Sequence, residues 1–180
     1  MTTKSPSSEP NKQEKHTFSV LVENRFGVLS RVAGLFSTRG YNIDSLVVSP
    51  TENKNYSRMT VVTHGDDAIL EQIQKQLNKL VEVVQVTDLT GSGFVSRELM
   101  LLKVRCAENR SEIIQIAGVF KANIVNVQKD SLVIEVTGST EKLDAFEALM
   151  TSYGIIELAR TGKVALSRST LPTELEDDKY

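Results

Sequence analysis

The chain has 180 residues, 40% of them hydrophobic, with 21 basic and 23 acidic side chains and a formal net charge of −2. That is enough for one ordinary core or two small ones, and the slightly acidic balance gives no electrostatic reason to expect nucleic acid or an anionic membrane as a partner. The single cysteine, Cys106, cannot close an intramolecular disulfide and has no zinc-site pattern around it, and no apolar run approaches a membrane span, so a cytoplasmic setting is expected.

Residues 1–16 are polar, carry Glu9, Glu14 and three lysines, and read as a disordered tail. Alternation starts at Thr17, puts Phe18, Val20 and Val22 on one face and stops at Asn24, so the first strand is 17–23. Val28, Leu29, Val32, Ala33, Leu35 and Phe36 paint one side of a helix, and Gly40 supplies its stop. The β-branched runs 43–49 and 57–64 read as a hairpin, with Asn42 opening its first strand and the loop TENKNY between them. Asp66 and Asp67 start the next helix, whose stripe is Ile69, Leu70, Ile73, Leu77 and Leu80, and 81–89 is a fourth strand.

GSGF at 91–94 reads as the core of a linker over 91–96, after which the pattern repeats. A strand over 98–106 leads to a helix stripe of Ile113, Ile114, Ile116, Ala117, Val119 and Phe120. Runs 124–127 and 132–136 form a tight hairpin; Thr140 caps a helix carrying Leu143, Phe146, Leu149 and Met150; 155–160 is the last strand, with 164–166 as an extension. Both halves therefore read βαββαβ, an α+β arrangement in two copies. In the split βαβ topology the first and third strands lie in the middle and both helices on one face. The second strand is then an edge with Leu46, Val47 and Val48 in a row, which needs cover from a second chain or from the second domain.

The turn at Asn24, Arg25, Phe26 and Gly27 has two readings. It is a helix start whose glycine serves only the backbone, or a place where a ligand approaches the main chain and the amides near Val28 and Leu29 take its carboxylate. Asn42 offers a donor and an acceptor suited to an amino acid zwitterion. No catalytic constellation is found. His16 and His64 read as surface residues, Asp66 with Asp67 as a helix-start pair, Asp177 with Asp178 as a solvated tail, and Cys106 as a small core residue. GSGF lacks the setting of a phosphate loop, and no metal site is indicated.

The stretch VENRFGVLSRVAGLFSTRGYNIDSL, with SRMT at 57–60, QIQKQLNKLVEV at 72–83, SRELMLLKV at 96–104, RSEI at 110–113, KLDAF at 142–146 and ARTGKVALSR at 159–168, resembles the regulatory (small) subunit of acetohydroxyacid synthase, or acetolactate synthase. The likeness covers about residues 17–168. It implies two tandem ferredoxin-like βαββαβ domains: an ACT domain over 17–90 that dimerises and binds an amino acid, the linker 91–96, a C-terminal domain over 97–168 and an acidic flexible tail over 169–180.

The function implied is non-catalytic: activating a catalytic large subunit and conferring feedback inhibition by valine, or another branched-chain amino acid, in branched-chain amino acid biosynthesis. Thiamine diphosphate, Mg and FAD are implied for that partner, and no cofactor for this chain. The family's effector site carries over to Asn24, Gly27, Val28, Leu29 and Ser30 and to Asn42 and Ile43, with Arg25 and Phe26 in the same turn. Leu29 and Ile43 would line the pocket for a branched side chain. The matching turn of the second domain, 107–111, has no glycine and carries acids nearby, so no effector site is expected there. An ACT-domain sensor for a different enzyme is the alternative within binding modules, and a ferredoxin-like RNA-binding protein the alternative outside them.

Overall fold

The computed structural model describes residues 14–91 and 93–168; the expected tails, apart from 14–16, and Ser92 of the linker lie outside the described residues. The first unit comprises β1 (Glu14–Glu23), α1 (Val28–Thr38), β2 (Ser45–Pro50), β3 (Tyr56–Gly65), α2 (Asp67–Leu77) and β4 (Val83–Asp88). The second comprises β5 (Phe94–Arg105), α3 (Arg110–Val119), β6 (Asn123–Val127), β7 (Ser131–Gly138), α4 (Thr140–Thr151) and β8 (Ile155–Arg160), followed by β9 (Val164–Ser167). The antiparallel sheets run β2-β3-β1-β4 and β6-β7-β5-β8, so the first and third strands of each unit are central and the second is at an edge, as the topology requires.

Each unit buries one sheet face under its two helices. In the first, Val28, Val32 and Phe36 of α1 and Leu70, Ile73 and Leu77 of α2 pack on Phe18, Val20, Val22, Met59 and Val61. In the second, Ile113 and Ala117 of α3 and Leu143, Phe146 and Met150 of α4 pack on Met100, Leu102, Val104, Leu132, Ile134 and Val136, with Cys106 buried among them. Phe120 meets Phe146 edge to face at 5.2 Å. Each fully buried Leu or Phe contributes roughly 1.5–3 kcal/mol.

Several local expectations shift. β1 begins three residues early because Glu14, Lys15 and His16 register against Gly65, His64 and Thr63. His16 is consequently no surface residue: its side chain is 12% exposed and its Nδ1 is 3.0 Å from Asp88 Oδ2. β2 starts at Ser45 rather than in the 42–43 region, and β4 at Val83, leaving Val81 exposed. Ile114, Val119 and Leu149 lie on exposed shoulders of their helices rather than in the buried stripes. Ser139, not Thr140, caps α4: its backbone is extended (φ −76°, ψ 162°) and its side chain accepts from the Lys142 N–H.

The largest departure is at the linker. Phe94–Arg97 continues β5 and pairs with β9, Phe94 opposite Ser167 and Arg97 opposite Val164. β8 and β9 lie along the same edge of β5, separated by Thr161, Gly162 and Lys163, with Thr161 N–H donating to Leu99 O. The resulting ribbon reaches from the second domain onto the first. β9 packs against β1, Ala165 is buried, and the far face of the first sheet is closed at Thr17, Ser19, Leu21, Thr60 and Val62. The second domain thus covers a face of the first sheet and, among the described residues, leaves the outer edge of β2 without a strand partner.

Candidate functional site

β1 ends at Glu23, and four residues bring the chain into α1. Asn24 anchors this turn to the β2–β3 loop, its N–H donating to Asn55 O at 2.7 Å and its Nδ2 to Lys54 O at 3.0 Å. Arg25 Nε lies 3.3 Å from Glu23 Oε2 on the surface, a pair of small energetic consequence. Phe26 is fully exposed. Gly27 is the N-cap with φ 84°, and a Cβ built there meets nothing within 4 Å, so the glycine answers to the backbone conformation and not to crowding within the chain.

The start of α1 is electrostatically unusual within this molecule. α2 is capped by Asp66, which accepts from the Ile69 N–H, and has Asp67 in its first turn; α3 has Glu112 there; α4 has the Ser139 cap and Glu141. α1 has neither a capping side chain nor an acid in its first turn. Its positive end is unbalanced, and the Leu29 and Ser30 amides have no protein acceptor among the described residues. Val28 is buried in the core and its N–H already donates to Arg25 O at 3.4 Å, so the free amides are those of the exposed Leu29 and Ser30.

Asn42 and Ile43 lie beyond the other end of α1. Asn42 is exposed, donates from Nδ2 to Asp44 Oδ1 at 2.9 Å, and its carbonyl accepts from Thr63 Oγ1 at 2.6 Å. Ile43 is half-buried against the first core. Eleven helical residues, about 16 Å of helix, separate this pair from the 24–30 turn. One chain therefore holds the expected site residues as two sets and does not bring them together.

Residues 18–85 match the family described as the AHAS small subunit-like ACT domain, and residues 97–169 that of the small subunit of acetolactate synthase. The chain belongs to the acetolactate synthase small-subunit family. It is 56% identical over 155 residues to the "Probable acetolactate synthase small subunit" of Archaeoglobus fulgidus, covering 86% of this chain and 97% of that one. It is 51% identical over 154 residues to the Mycolicibacterium smegmatis acetolactate synthase small subunit, covering 85% and 91%. Its structure resembles the crystal structure of the Thermotoga maritima acetolactate synthase small subunit with a TM-score of 0.82 at 41% identity, covering 88% and 99%. Membership in this small-subunit family makes the chain a regulatory, non-catalytic component of acetohydroxyacid synthase.

Among the described residues no group of three His, Cys, Asp or Glu side chains could hold a metal, and no helix is long and apolar enough to cross a membrane. The start of α3 differs from that of α1: Arg110 donates to the Gln128 and Lys129 carbonyls, and Glu112 accepts from the Tyr153 hydroxyl, which pushes the Tyr153 pKa up.

Sequence reading missed one cluster. Glu98 is buried and accepts from Arg160 Nε at 2.6 Å and from the Thr140 hydroxyl, while Arg160 Nη1 donates to Asp144 Oδ1 at 2.6 Å. Burial disfavours the guanidinium charge; the hydrogen bonds to Asp144 and Glu98 outweigh it, so the Arg160 pKa is raised. The signal was Glu98's parity: it shares its face with Met100, Leu102 and Val104, where a carboxylate needs a buried cation.

Proposed function

We propose that this chain binds a branched-chain amino acid, valine in the first place, at a site shared by two copies, and so imposes feedback inhibition on the catalytic subunit it otherwise activates. The observation that carries the reading is the start of α1, the one helix start among the described residues with neither a capping side chain nor its own acid. A ligand carboxylate on the amides of Leu29 and Ser30 supplies what the sequence withholds. The ammonium group and the branched side chain then fall to Asn42 and Ile43 of a second chain, because one chain holds these residues a helix length from its own turn. Phe26 and Leu29, exposed in the monomer, are apolar surface that a second chain would cover. The unpaired edge of β2, carrying Leu46, Val47 and Val48, supplies the dimer contact.

Inhibition follows if the effector binds one arrangement of the assembly more tightly than the other. The family relationship favours the acetohydroxyacid synthase catalytic subunit as partner over another enzyme, and a cytoplasmic setting accords with one unpaired cysteine. The test is reconstitution. Acetolactate formation by the purified catalytic subunit rises when the chain is added and falls again with valine; no stimulation and no valine response sinks the reading. Calorimetric titration of valine into Asn42→Ala tests the site itself, and unchanged affinity removes Asn42 from it.

A further inference from the structure

A cavity of about 440 Å³ lies where the two domains meet, far from the α1 start. Lys15, Asp44 and Ser45 line it from the first domain, and Glu98, Arg160 and Lys163 from the second. Each acid on its wall is already engaged. Asp44 accepts a hydrogen bond from Asn42 and lies 2.9 Å from His64 Nδ1, while Glu98 and Asp144 are both held by Arg160. Neither Lys15 nor Lys163 forms an ion pair or hydrogen bond with any described residue. Lys163 is felt by the exposed Glu141 carboxylate but makes no ion pair with it, so the charge facing this space is positive, one ammonium from each domain.

Ser45 adds a second observation. Its Oγ is buried and has no hydrogen-bond partner. The β8–β9 turn closes over it at Gly162, whose φ is 84° and whose built Cβ would come within 2.1 Å of that oxygen. A buried hydroxyl without a partner, beside two lysines that make no ion pair in a half-open cleft, is the donor set for an anion.

We propose that this cavity is a second ligand site, taking a small anion held between Lys15 of the first domain and Lys163 of the second, with the Ser45 hydroxyl donating to it. The anion ties together two domains that otherwise meet through a ribbon and a turn. Asp44, on the cavity wall, is also the partner of Asn42, so the anion and the amino acid effector act on one hydrogen-bonded group, and each changes the affinity for the other. Carboxylates and phosphates share the required chemistry.

Inorganic phosphate and acetate, titrated separately into the full chain and followed by amide NMR, test this. At least one anion shifts the Ser45 and Gly162 resonances with saturation, and its Kd rises about tenfold or more in Lys15→Gln and in Lys163→Gln. Tighter binding of phosphate assigns a phosphorylated ligand, and tighter binding of acetate a carboxylate. Shifts that fail to saturate, that saturate only at Leu29 and Ser30, or that keep their Kd in both lysine variants overturn the proposal. Lys15 is exposed on β1, so its variant stays interpretable even where Lys163→Gln fails to fold.

Discussion

The two domains repeat one architecture and part company at the start of their first helices. α1 begins on Gly27 in the left-handed region, with no capping side chain and no acid in its first turn; α3 begins after Asn109 at φ −111°, with Glu112 in its first turn and Arg110 clamped to the β6–β7 hairpin. Identical topology therefore leaves the first helix of one domain without a cap or an acid in its first turn and gives the other an acid there. The difference lies in a handful of side chains around one turn, which is why the fold alone does not say where an effector binds.

Damage to the core of the second domain shows whether binding at the first depends on it. Phe146→Ala removes a fully buried ring and its contact with Phe120, at an expected cost of about 3–5 kcal/mol in urea unfolding. Valine affinity is expected to be unchanged at low denaturant. A parallel loss of affinity would mean that the β5–β9 ribbon makes both domains one cooperative unit.

Gly27→Ala comes next. A side chain at φ 84° costs roughly 1–2 kcal/mol of stability, all of it backbone strain because the added Cβ meets nothing. Relaxation of that strain would displace the amides, so valine binding weakens as well. Asn109→Ala at the matching position of the second domain changes stability by less than about 0.5 kcal/mol and leaves valine binding alone. Equal effects on affinity from both variants would erase the distinction between the turns.

Ser30→Glu sharpens the same point by giving α1 the acid that the other helices carry. A carboxylate in the first turn adds roughly 0.3–1 kcal/mol of stability through the helix dipole. It also competes with and repels the ligand carboxylate, so thermal stability rises while valine affinity falls. A variant that gains stability and keeps its affinity would place the ligand elsewhere.

The element order was legible because apolar periodicity is local: Phe18, Val20 and Val22, or Leu143, Phe146 and Met150, declare their faces without a partner. Phe94, Val95 and Ser96 read as linker because their strand partner, β9, lies some 70 residues away and they follow a glycine- and serine-rich stretch. Ile114, Val119 and Leu149 were assigned to buried stripes because hydrophobicity alone does not separate the center of a helix face from its shoulder. In the candidate site, Gly27 and Asn42 stand out by residue type and the helix between them by its apolar spacing, whereas the engagement of the Val28 amide by Arg25 O follows only from the fold. The cap at Ser139 turned on backbone angles that two adjacent hydroxyl residues leave undecided.

The smallest effect measures the field that the α1 start offers. Glu141, in the first turn of α4, has its carboxyl held below its ordinary value of 4.5, first by its own backbone N–H and then by the Ser139 hydroxyl. A carboxylate with a depressed native pKa contributes stability that is present above its unfolded value and lost as pH falls from there through the lowered native value. Glu141→Gln should therefore reduce stability slightly at neutral pH and flatten this acid limb, with both proteins converging once the pH is below the native value. The group is exposed, so the difference is small and shrinks with added salt. Urea midpoints of the two proteins across the acid range check the sign. If they run parallel, a helix start in this fold does little for a carboxylate, and the uncapped start of α1 loses its significance as a place for one.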